Sequence, residues 1–479
     1  MDKDLASRQE ARSLALAAEA AQKQLSQMQQ GQLDKIVAAI AEAFPKHALT
    51  LGQLAVEETG FGNPQDKAEK NRFASQEVYK AIRDMKTVGI LSQDAQKKIW
   101  EIGVPVGVIA AIVPSTNPTS TVCYKAMIAL KSGNAVVFAP HPKAVRCTLE
   151  AVRVVRQAAE SAGCPAGAIG CITTPTMDAT QELMHHPAVR LILATGGPGM
   201  VKSAYSSGKP AIGVGAGNGP AYIHHSADLP QAVASIMASK TFDNGTVCAS
   251  EQSVIVENRL DHDFRREAAR QGAYFLSKEE TEQLAKFLFR PEGALSPQVV
   301  GKPAKHLAKL AGFQVPDTVR VLIATEESPK DGWVYAREKL CPVLAYFVVP
   351  DESAALQKAL SVLSHEGAGH TFSMHCKEEA VIRRFAETIP VSRILVNAPA
   401  TQGGIGAATN LFPAMTLGCG AVGGSASSNN IGPMDLINVR RVAWGVKDTP
   451  KPEAACSRAP QISEAVISAL AAEIMKKLL

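Results

Sequence analysis

The stretch VGVIAAIVPSTNPTSTVCYKAMIALKSGNAVVFAP, residues 106–140, decides the fold class. It begins with an apolar run over 106–113, continues with a helical pattern over 119–133 and ends in a second apolar run over 134–140. Continuous apolar runs of this length are typical of strands buried on both faces. Two such strands joined by a helix predict a right-handed βαβ unit, and therefore a parallel sheet covered by helices.

The same alternation extends in both directions from this stretch. Towards the N-terminus, residues 5–59 carry apolar side chains at helical spacing, and KIWEIGVP (98–105) is typical of a strand or hairpin arm. Towards the C-terminus, a helix over 143–162 precedes a strand at 192–195. Further strands are predicted at 253–257, 319–325, 343–349, 392–397 and 435–444. We expect a doubly wound sheet followed by a second α/β domain.

Composition and charge exclude several classes of protein. Hydrophobic residues make up 46% and aromatic residues 5%, so the cores must be mainly aliphatic. The net charge of +5 includes no block of like charges, which argues against nucleic acid and anionic membranes as partners. The first residues, MDKDLASRQEARSL, lack the apolar core of a signal peptide, so we expect none, and the sequence contains no apolar run long enough to span a membrane. None of the nine cysteines forms a C-x-x-C pair, so we expect a reducing compartment, no disulfide framework and no metal site.

Cys248 is the candidate nucleophile. It lies in TFDNGTVCASEQSVIV (241–256), after a glycine-containing turn and before a predicted strand. That arrangement holds a thiol at the tip of a loop, with its own main-chain N–H turned towards a substrate. From the local sequence alone, a small buried side chain is the stronger alternative, because most cysteines are structural.

Seven motifs in fixed order strengthen the case for a catalytic cysteine. They are PSTNPTST (114–121), ATGGPGMV (194–201), GVGAGNGPAYI (213–223), FDNGTVCAS (242–250), EKLCPV (338–343), GAGHT (367–371) and TLGCGAVGGSASSNN (416–430). Through them the chain resembles the aldehyde dehydrogenase superfamily as far as about residue 447. The similarity is greatest to the branch that makes acyl-CoA, which includes enzymes of bacterial microcompartments.

The resemblance implies an aldehyde dehydrogenase-like α/β fold with three parts. A Rossmann-type domain for NAD and coenzyme A (CoA) would comprise residues 1–94 and 106–239, and a catalytic domain residues 240–433. A β-strand oligomerisation arm would comprise residues 95–105 and 434–447. Such an arm implies a homodimer or homotetramer. The resemblance to microcompartment enzymes implies a location in the bacterial cytoplasm, inside a microcompartment.

The resemblance also implies roles for single residues. Cys248 would attack the aldehyde carbonyl, and its main-chain N–H would stabilise the oxyanion together with Asn117, or with Thr116 in a rival alignment. Glu338 would bind the nicotinamide ribose, although a solvated charge beside Arg337 and Lys339 is the alternative. His370 would orient the thioester carbonyl or help to deprotonate the incoming thiol, and a structural role is open.

The remaining cofactor contacts are implied in the same way. Glycines between a strand and a helix let main chain approach a pyrophosphate. Pro140 and His141 stand where a lysine usually follows the strand, so the adenosine pocket would be remodelled. The expected cofactor-binding residues besides Glu338 are Thr195, Gly196, Gly197, Gly199, Gly217, Pro140 and His141.

One missing carboxylate predicts the acyl acceptor. Hydrolytic aldehyde dehydrogenases carry a water-activating glutamate in the motif that matches GVGAGNGP. Val214 stands at about that position, and no acidic residue occurs from 211 to 227. Transfer of the acyl group to CoA is therefore favoured over hydrolysis, with a two- or three-carbon aldehyde (acetaldehyde or propionaldehyde) expected by analogy.

Three alternatives stay open at this point. A hydrolytic aldehyde dehydrogenase is disfavoured by Val214, and a reductase of acyl phosphates by the loop at 416–430. A non-catalytic scaffold that binds a microcompartment shell is disfavoured by the joint presence of Cys248, Glu338 and Asn117.

The C-terminal segment has a different character. Residues 448–460, DTPKPEAACSRAP, are typical of a linker, and residues 461–479 predict an amphipathic helix. The helix resembles encapsulation peptides, which dock enzymes onto microcompartment shell proteins. Packing against the chain's own catalytic domain is the alternative, and a membrane-surface helix is disfavoured because the segment has two lysines and no aromatic anchor.

Overall fold

The chain forms three sheets, with helices covering the two larger ones. The structure, a computed structural model, describes residues 3–326, 334–447 and 462–479. The strands are β1 Gly89–Asp94, β2 Ile99–Pro105, β3 Val108–Ile112, β4 Ala135–Ala139, β5 Ile169–Cys171, β6 Val189–Ala194, β7 Ala211–Gly213, β8 Gly219–Ile223, β9 Glu251–Glu257, β10 Ala273–Phe275, β11 Val321–Thr325, β12 Val343–Val349, β13 Gly369–His375, β14 Val391–Val396 and β15 Ile437–Ala443.

The helices alternate with these strands over most of the chain. They are α1 Lys3–Leu25, α2 Gln30–Ala43, α3 Ala48–Thr59, α4 Pro64–Arg72, α5 Val78–Ile82, α6 Pro118–Lys131, α7 Val145–Ser161, α8 Met177–His185, α9 Pro198–Tyr205, α10 Leu229–Thr241, α11 Asp261–Arg270, α12 Lys278–Leu288, α13 Ala304–Ala311, α14 Glu352–His365, α15 Glu379–Thr388, α16 Ala400–Gly404 and α17 Glu464–Leu478.

The first large sheet confirms the predicted βαβ unit. Its five strands run in the order β5-β4-β3-β6-β7, and every neighbouring pair is parallel. Strands β3 and β4 are buried along their whole length, and so is the helix α6 that joins them. This burial explains why both strands are continuous apolar runs in the sequence. The carboxyl ends of β3, β6 and β7 meet at one edge of the sheet.

The second large sheet confirms the second α/β layer but moves its boundary. Its seven parallel strands run in the order β10-β11-β12-β9-β8-β13-β14. Strand β8 belongs here because Ala221 pairs with both Val254 and Ser373. The chain therefore passes from one sheet to the other between β7 and β8, whereas the domain boundary expected from the sequence, between residues 239 and 240, follows β8.

The third sheet contains the segments that the sequence assigns to an oligomerisation arm. Strands β1, β2 and β15 form an antiparallel sheet, which begins with β1 at Gly89, whereas the expected arm begins at residue 95. The rings of Trp100 and Trp444 meet edge to face, with their centroids 5.1 Å apart. Val439 and Val442 on β15 are exposed, so this sheet presents apolar side chains to its surroundings.

The C-terminal helix has the predicted position and is exposed along its whole length. Helix α17 buries none of its residues, and Val466, Leu470 and Ile474 are each at least half exposed. The predicted linker, residues 448–460, lies outside the described residues. Within the described part of the chain, none of the helices has the length and apolar character that crossing a membrane requires.

Candidate active site

A cavity of about 430 Å³ lies where the carboxyl ends of β3, β6 and β7 face the turn that carries Cys248. Open α/β sheets bind ligands at this edge. Most of the predicted site residues line the cavity. They are Thr116, Asn117, His141, Thr195, Gly196, Gly197, Cys248 and Glu338.

Cys248 differs from the other cysteines of the described residues. It is half-buried and lines the cavity, whereas the other seven that the structure describes are buried elsewhere. The turn before it contains three consecutive residues with positive φ, Asp243 (49°), Asn244 (51°) and Gly245 (77°). Left-handed main chain is costly for residues other than glycine, so this turn must be held by its surroundings.

The environment of the Cys248 thiol favours its neutral form. Burial raises the pKa of Cys248 to about 12, the nearby Glu338 adds to the rise, and the charge of Arg393 opposes it. A thiol in this state is a weak nucleophile, so losing its proton is part of the chemical barrier.

Gly217 connects the cysteine with the carboxylate. A Cβ atom built on Gly217 would lie 1.8 Å from the main-chain oxygen of Cys248, so no larger residue fits this position. The Gly217 N–H donates to Oε1 of Glu338 at 3.0 Å. The observed contacts of Gly217 are thus with Cys248 and Glu338, and the sequence predicted neither of them.

Glu338 is a carboxylate in a partly desolvated position. Burial raises its pKa to about 8, the Gly217 N–H opposes that rise, and Glu366 adds to it. The Glu338 main-chain N–H donates to Oε2 of Glu366 at 2.6 Å, which fixes the segment before Leu340. The alternative interpretation of Glu338, as a solvated surface charge, does not match these surroundings.

Asn117 and Thr116 both line the cavity beside Cys248. The Asn117 side-chain NH2 donates to the main-chain oxygen of Thr246 at 3.0 Å and leaves its second hydrogen with only a 3.4 Å contact to Thr116 Oγ1. Both rivals for the oxyanion therefore present a side-chain donor at the cavity wall, a weakly bonded N–H of Asn117 and the hydroxyl of Thr116.

The predicted cofactor residues fall at one side of the cavity. Thr195 Oγ1 is buried without a hydrogen-bond partner, and Gly197 caps the N-terminus of α9. An adjoining cavity of about 110 Å³ is lined by Pro140 and His141 together with Thr195, Gly196 and Gly197. An unpartnered hydroxyl next to a helix N-terminus fits a phosphate-bearing cofactor such as NAD. Gly199, inside α9, lines neither cavity.

His370 is not among the residues that line the cavity. It is fully buried, its Nδ1 lies 2.8 Å from Thr371 Oγ1, and its Nε2 has no partner. Burial lowers the pKa of His370 to about 3, so the ring is a poor acceptor for a thiol proton. These surroundings favour the structural role that the sequence left open.

Arg393 is a residue that the sequence reasoning missed. Its guanidinium is nearly fully buried in β14 and donates to main-chain oxygens of His370 (3.0 Å), Ser428 (3.2 Å) and Gly418, and to Oδ1 of Asn430 (2.8 Å). Within residues 3–326, 334–447 and 462–479, no carboxylate pairs with it. The unneutralised charge holds the loop at 416–430 in place and opposes the rise in the Cys248 pKa.

Comparison with known sequences places this site in a family. The family model described as "Aldehyde dehydrogenase family" matches residues 2–277. The bifunctional aldehyde-alcohol dehydrogenase AdhE of Escherichia coli K12 is 45% identical over 428 residues, which are 88% of this chain and 48% of that protein. The chain thus spans about half the length of this relative. The acetylating succinate-semialdehyde dehydrogenase of Clostridium kluyveri is 36% identical and is matched along nearly its whole length, with 91% of this chain and 96% of that protein covered.

Solved structures agree with the sequence comparison. A probable aldehyde dehydrogenase from Listeria monocytogenes EGD-e is 55% identical with a TM-score of 0.92, over 94% of this chain and 99% of that one. An acetylating aldehyde dehydrogenase from Geobacillus thermoglucosidasius is 49% identical with a TM-score of 0.92, over 94% and 100%. A propionaldehyde dehydrogenase from the fucose utilisation microcompartment of Clostridium phytofermentans is 30% identical with a TM-score of 0.82, over 91% and 97%. The chain belongs to the aldehyde dehydrogenase family.

Proposed function

We propose that the protein oxidises a short-chain aldehyde, such as acetaldehyde or propionaldehyde, and transfers the acyl group to CoA. One observation carries this proposal. Val214 lines the cavity that contains Cys248, at the position expected for a water-activating glutamate, and Glu338 is the one carboxylate among the described residues that line this cavity. The acetylating relatives support CoA as the acceptor.

The first half-reaction forms an acyl-enzyme. The Cys248 sulfur, after losing its proton, bonds to the aldehyde carbon, and the carbonyl electron pair moves to oxygen. The Cys248 main-chain N–H and the weakly bonded Asn117 side-chain N–H stabilise that oxyanion. A bound NAD would supply the acceptor for the hydride that leaves the former aldehyde carbon. The product on the enzyme is an acyl thioester at Cys248.

The second half-reaction exchanges one thioester for another. The CoA thiolate attacks the acyl carbon, and the Cys248 sulfur leaves with its bonding electrons. The free-energy change is small because the bond formed and the bond broken are both thioesters, so the reaction runs in either direction. Water needs a base to compete, and Val214 offers none.

NAD binding rests on the two adjoining cavities. Thr195, Gly196 and Gly197 belong to the walls of both, so a dinucleotide can run from Glu338 past these residues to Pro140 and His141. Glu338 would hold the nicotinamide ribose in its ionised form. Because the pKa of Glu338 is raised in the free enzyme, binding of the ribose hydroxyls must offset the free-energy cost of deprotonating Glu338.

Hydrolysis is the second candidate, and it too rests on one observation. Glu338 has its pKa raised to about 8 and lines the cavity, so it has the properties of a general base. Two contacts oppose a role of Glu338 Oε1 as the base: the hydrogen bond that it accepts from the Gly217 N–H, and the proposed contact with the ribose.

Product analysis distinguishes the two candidates. The protein is incubated with propionaldehyde and NAD, with and without CoA, and the products are identified by mass spectrometry. The proposal expects propionyl-CoA in the first sample and at most traces of propionate in the second. Propionate as the main product in both samples would establish hydrolysis instead.

Two surfaces support proposals about assembly. The arm formed by β1, β2 and β15 exposes apolar side chains, and we infer that it pairs with a second copy in a homodimer or homotetramer. Helix α17 exposes an apolar stripe through Val466, Leu470 and Ile474, and it would dock residues 461–479 onto a microcompartment shell protein. Docking of α17 onto a shell would place the enzyme inside a microcompartment of a bacterial cytoplasm.

A further inference from the structure

Two buried lysines lie beneath the active site and share one carboxylate. Lys67 and Lys70 are one turn apart on α4, and their side chains are at most 3% exposed. Oδ2 of the fully buried Asp243 lies 2.9 Å from the Lys67 ammonium and 2.5 Å from that of Lys70. Among the described residues, no second carboxylate pairs with either lysine. Asp66 lies beside this pair, since its Oδ2 accepts from the Asp243 main-chain N–H at 2.7 Å and its charge helps to raise the pKa of Lys70.

The remaining hydrogens of the two ammonium groups point at the two rivals for the oxyanion site. Lys67 Nζ donates to the main-chain oxygen of Thr116 at 2.7 Å. Lys70 Nζ donates to Oδ1 of Asn117 at 2.7 Å, with longer contacts of 3.2 and 3.3 Å to Thr246. The charge is thus directed at the wall of the cavity that holds Cys248.

Contact with Lys70 fixes which way the Asn117 amide points. An ammonium group has donors only, so the atom that faces it must be the amide oxygen. The Asn117 NH2 is thereby turned away from Lys70, towards Thr246 and the cavity. A charged donor on the oxygen also polarises the amide and makes its N–H groups stronger donors.

We propose that Lys70 is a positioning residue for aldehyde oxidation, which holds and polarises the Asn117 amide for the oxyanion that forms at Cys248. This rests on the proposed function. Lys70 does not reach the substrate in this role, since Asn117 stands between it and the cavity. The Asp243 carboxylate completes the arrangement, because its ion pair with Lys70 keeps the buried ammonium in place.

The protonation state of the cluster agrees with this role. Burial lowers the pKa of Lys70 to about 8, and Asp243 opposes that fall, so the group is charged at neutral pH. Although burial alone would raise the pKa of Asp243, Lys67 and Lys70 hold it below its ordinary value.

Lys70→Met and Lys67→Met form a matched pair of variants. Each removes one ammonium from the same carboxylate and keeps an unbranched side chain, but only Lys70→Met frees the Asn117 oxygen. We expect Lys70→Met to lower kcat for aldehyde oxidation by about 30-fold or more, and Lys67→Met to lower it clearly less. Equal losses in the two variants would overturn the proposal.

Alkylation of Cys248 by iodoacetamide separates positioning of the amide from positioning of the thiol. That displacement forms no oxyanion, so its rate in Lys70→Met should stay within about threefold of wild type. A parallel fall in alkylation and oxidation would show that Lys70 acts on the thiol, and would contradict the proposal. In an Asn117→Ala background, Lys70→Met should cause little further loss, whereas additive losses would also contradict it.

Two controls keep the test decisive. If circular dichroism shows that Lys70→Met does not fold, Lys70→Gln replaces it. Lys70→Gln keeps a neutral donor and should therefore show a smaller loss of kcat. Undiminished activity of Lys70→Gln would overturn the proposal. Wild type in the same assay reports on the proposed function alone. Absence of acyl-CoA from wild type would reject that function, whereas full activity of Lys70→Met beside an active wild type would reject only the role of Lys70.

Discussion

Gly217 packs against the main-chain oxygen of Cys248 so closely that a Cβ atom at this position would lie 1.8 Å from it. The same glycine donates its N–H to Glu338. One residue without a side chain therefore sets the distance between the proposed nucleophile and the carboxylate proposed to bind the cofactor. Few of the other glycines have so close a main-chain neighbour.

Gly217→Ala should reduce aldehyde oxidation by about two orders of magnitude or more. The added methyl group forces Cys248 away from its position, and displacements of about 1 Å at a reacting group cost on this scale. Steady-state kinetics with saturating NAD and CoA would measure the loss. Gly31→Ala is the matched control, since a Cβ there meets no atom within 4 Å. Normal kinetics in Gly217→Ala would refute the packing argument.

Cys248→Ala should abolish aldehyde oxidation and leave NAD binding intact. Loss of a covalent nucleophile costs several orders of magnitude, whereas the residues proposed to contact NAD lie elsewhere in the cavity. Calorimetric titration with NAD and a rate assay would test both statements. Cys164→Ala, at a buried cysteine outside the cavity, serves as the control. Aldehyde oxidation by Cys248→Ala at a rate near that of wild type would rule out Cys248 as the nucleophile.

Glu338→Gln should slow hydride transfer more than it slows transfer of the acyl group from Cys248 to CoA. The amide cannot accept from paired ribose hydroxyls as a carboxylate does, but the second half-reaction needs no ribose contact. Pre-steady-state measurement of NADH formation, and of acyl-CoA formation from preformed acyl-enzyme, separates the two steps. Equal losses in both would indicate a structural role for Glu338.

The same variant should change how stability depends on pH. The pKa of Glu338 is raised in the folded protein to about 8, so its contribution to stability is fully present below its unfolded pKa and is lost as pH rises through 8. Glu338→Gln has no proton to lose at this position. The Tm of Glu338→Gln minus the Tm of wild type should therefore be larger at pH 8.5 than at pH 5. A constant difference would show that Glu338 is not desolvated in the free enzyme.

Removal of residues 449–479 should leave catalysis unchanged and abolish packaging into shells. Helix α17 buries none of its residues, so its loss exposes no core. Fluorescence co-localisation with purified or co-expressed shells would measure packaging, and a fusion of 461–479 to a fluorescent protein should be recruited. The full-length variant Leu470→Glu, which interrupts the exposed apolar stripe, is the control for the deletion. Packaging of the truncated enzyme, or its unfolding, would contradict the targeting role.

The sequence predicts the long buried elements well and the short ones poorly. Strand β12 has the predicted bounds because a seven-residue run of β-branched, aliphatic and aromatic side chains reflects burial on both faces. Strands β5, β7 and β10 contain three residues each, too few to show a period. Strand β8 contains glycine and proline, so its sequence is typical of a turn although its neighbours bury it.

The same contrast holds for the site. Residues that carry a motif, such as Cys248 and Glu338, are found from the sequence and line one cavity. Lys67 and Lys70 are not found, because charged residues three apart on a helix are normally solvated, and only the tertiary structure brings Asp243 to them. Arg393 is hidden for the same reason inside an otherwise apolar strand.

The central claim is that the acyl group on Cys248 waits for a thiol because no base activates water beside it. The most direct test mixes enzyme, saturating aldehyde and NAD without CoA, follows NADH by rapid-mixing absorbance, and weighs the protein afterwards. The account predicts a burst of at most about one NADH per active site, an acyl mass increase on Cys248, and steady turnover only when CoA is added. Continued NADH formation without CoA, with free acid as product and no acyl group on Cys248, would contradict it.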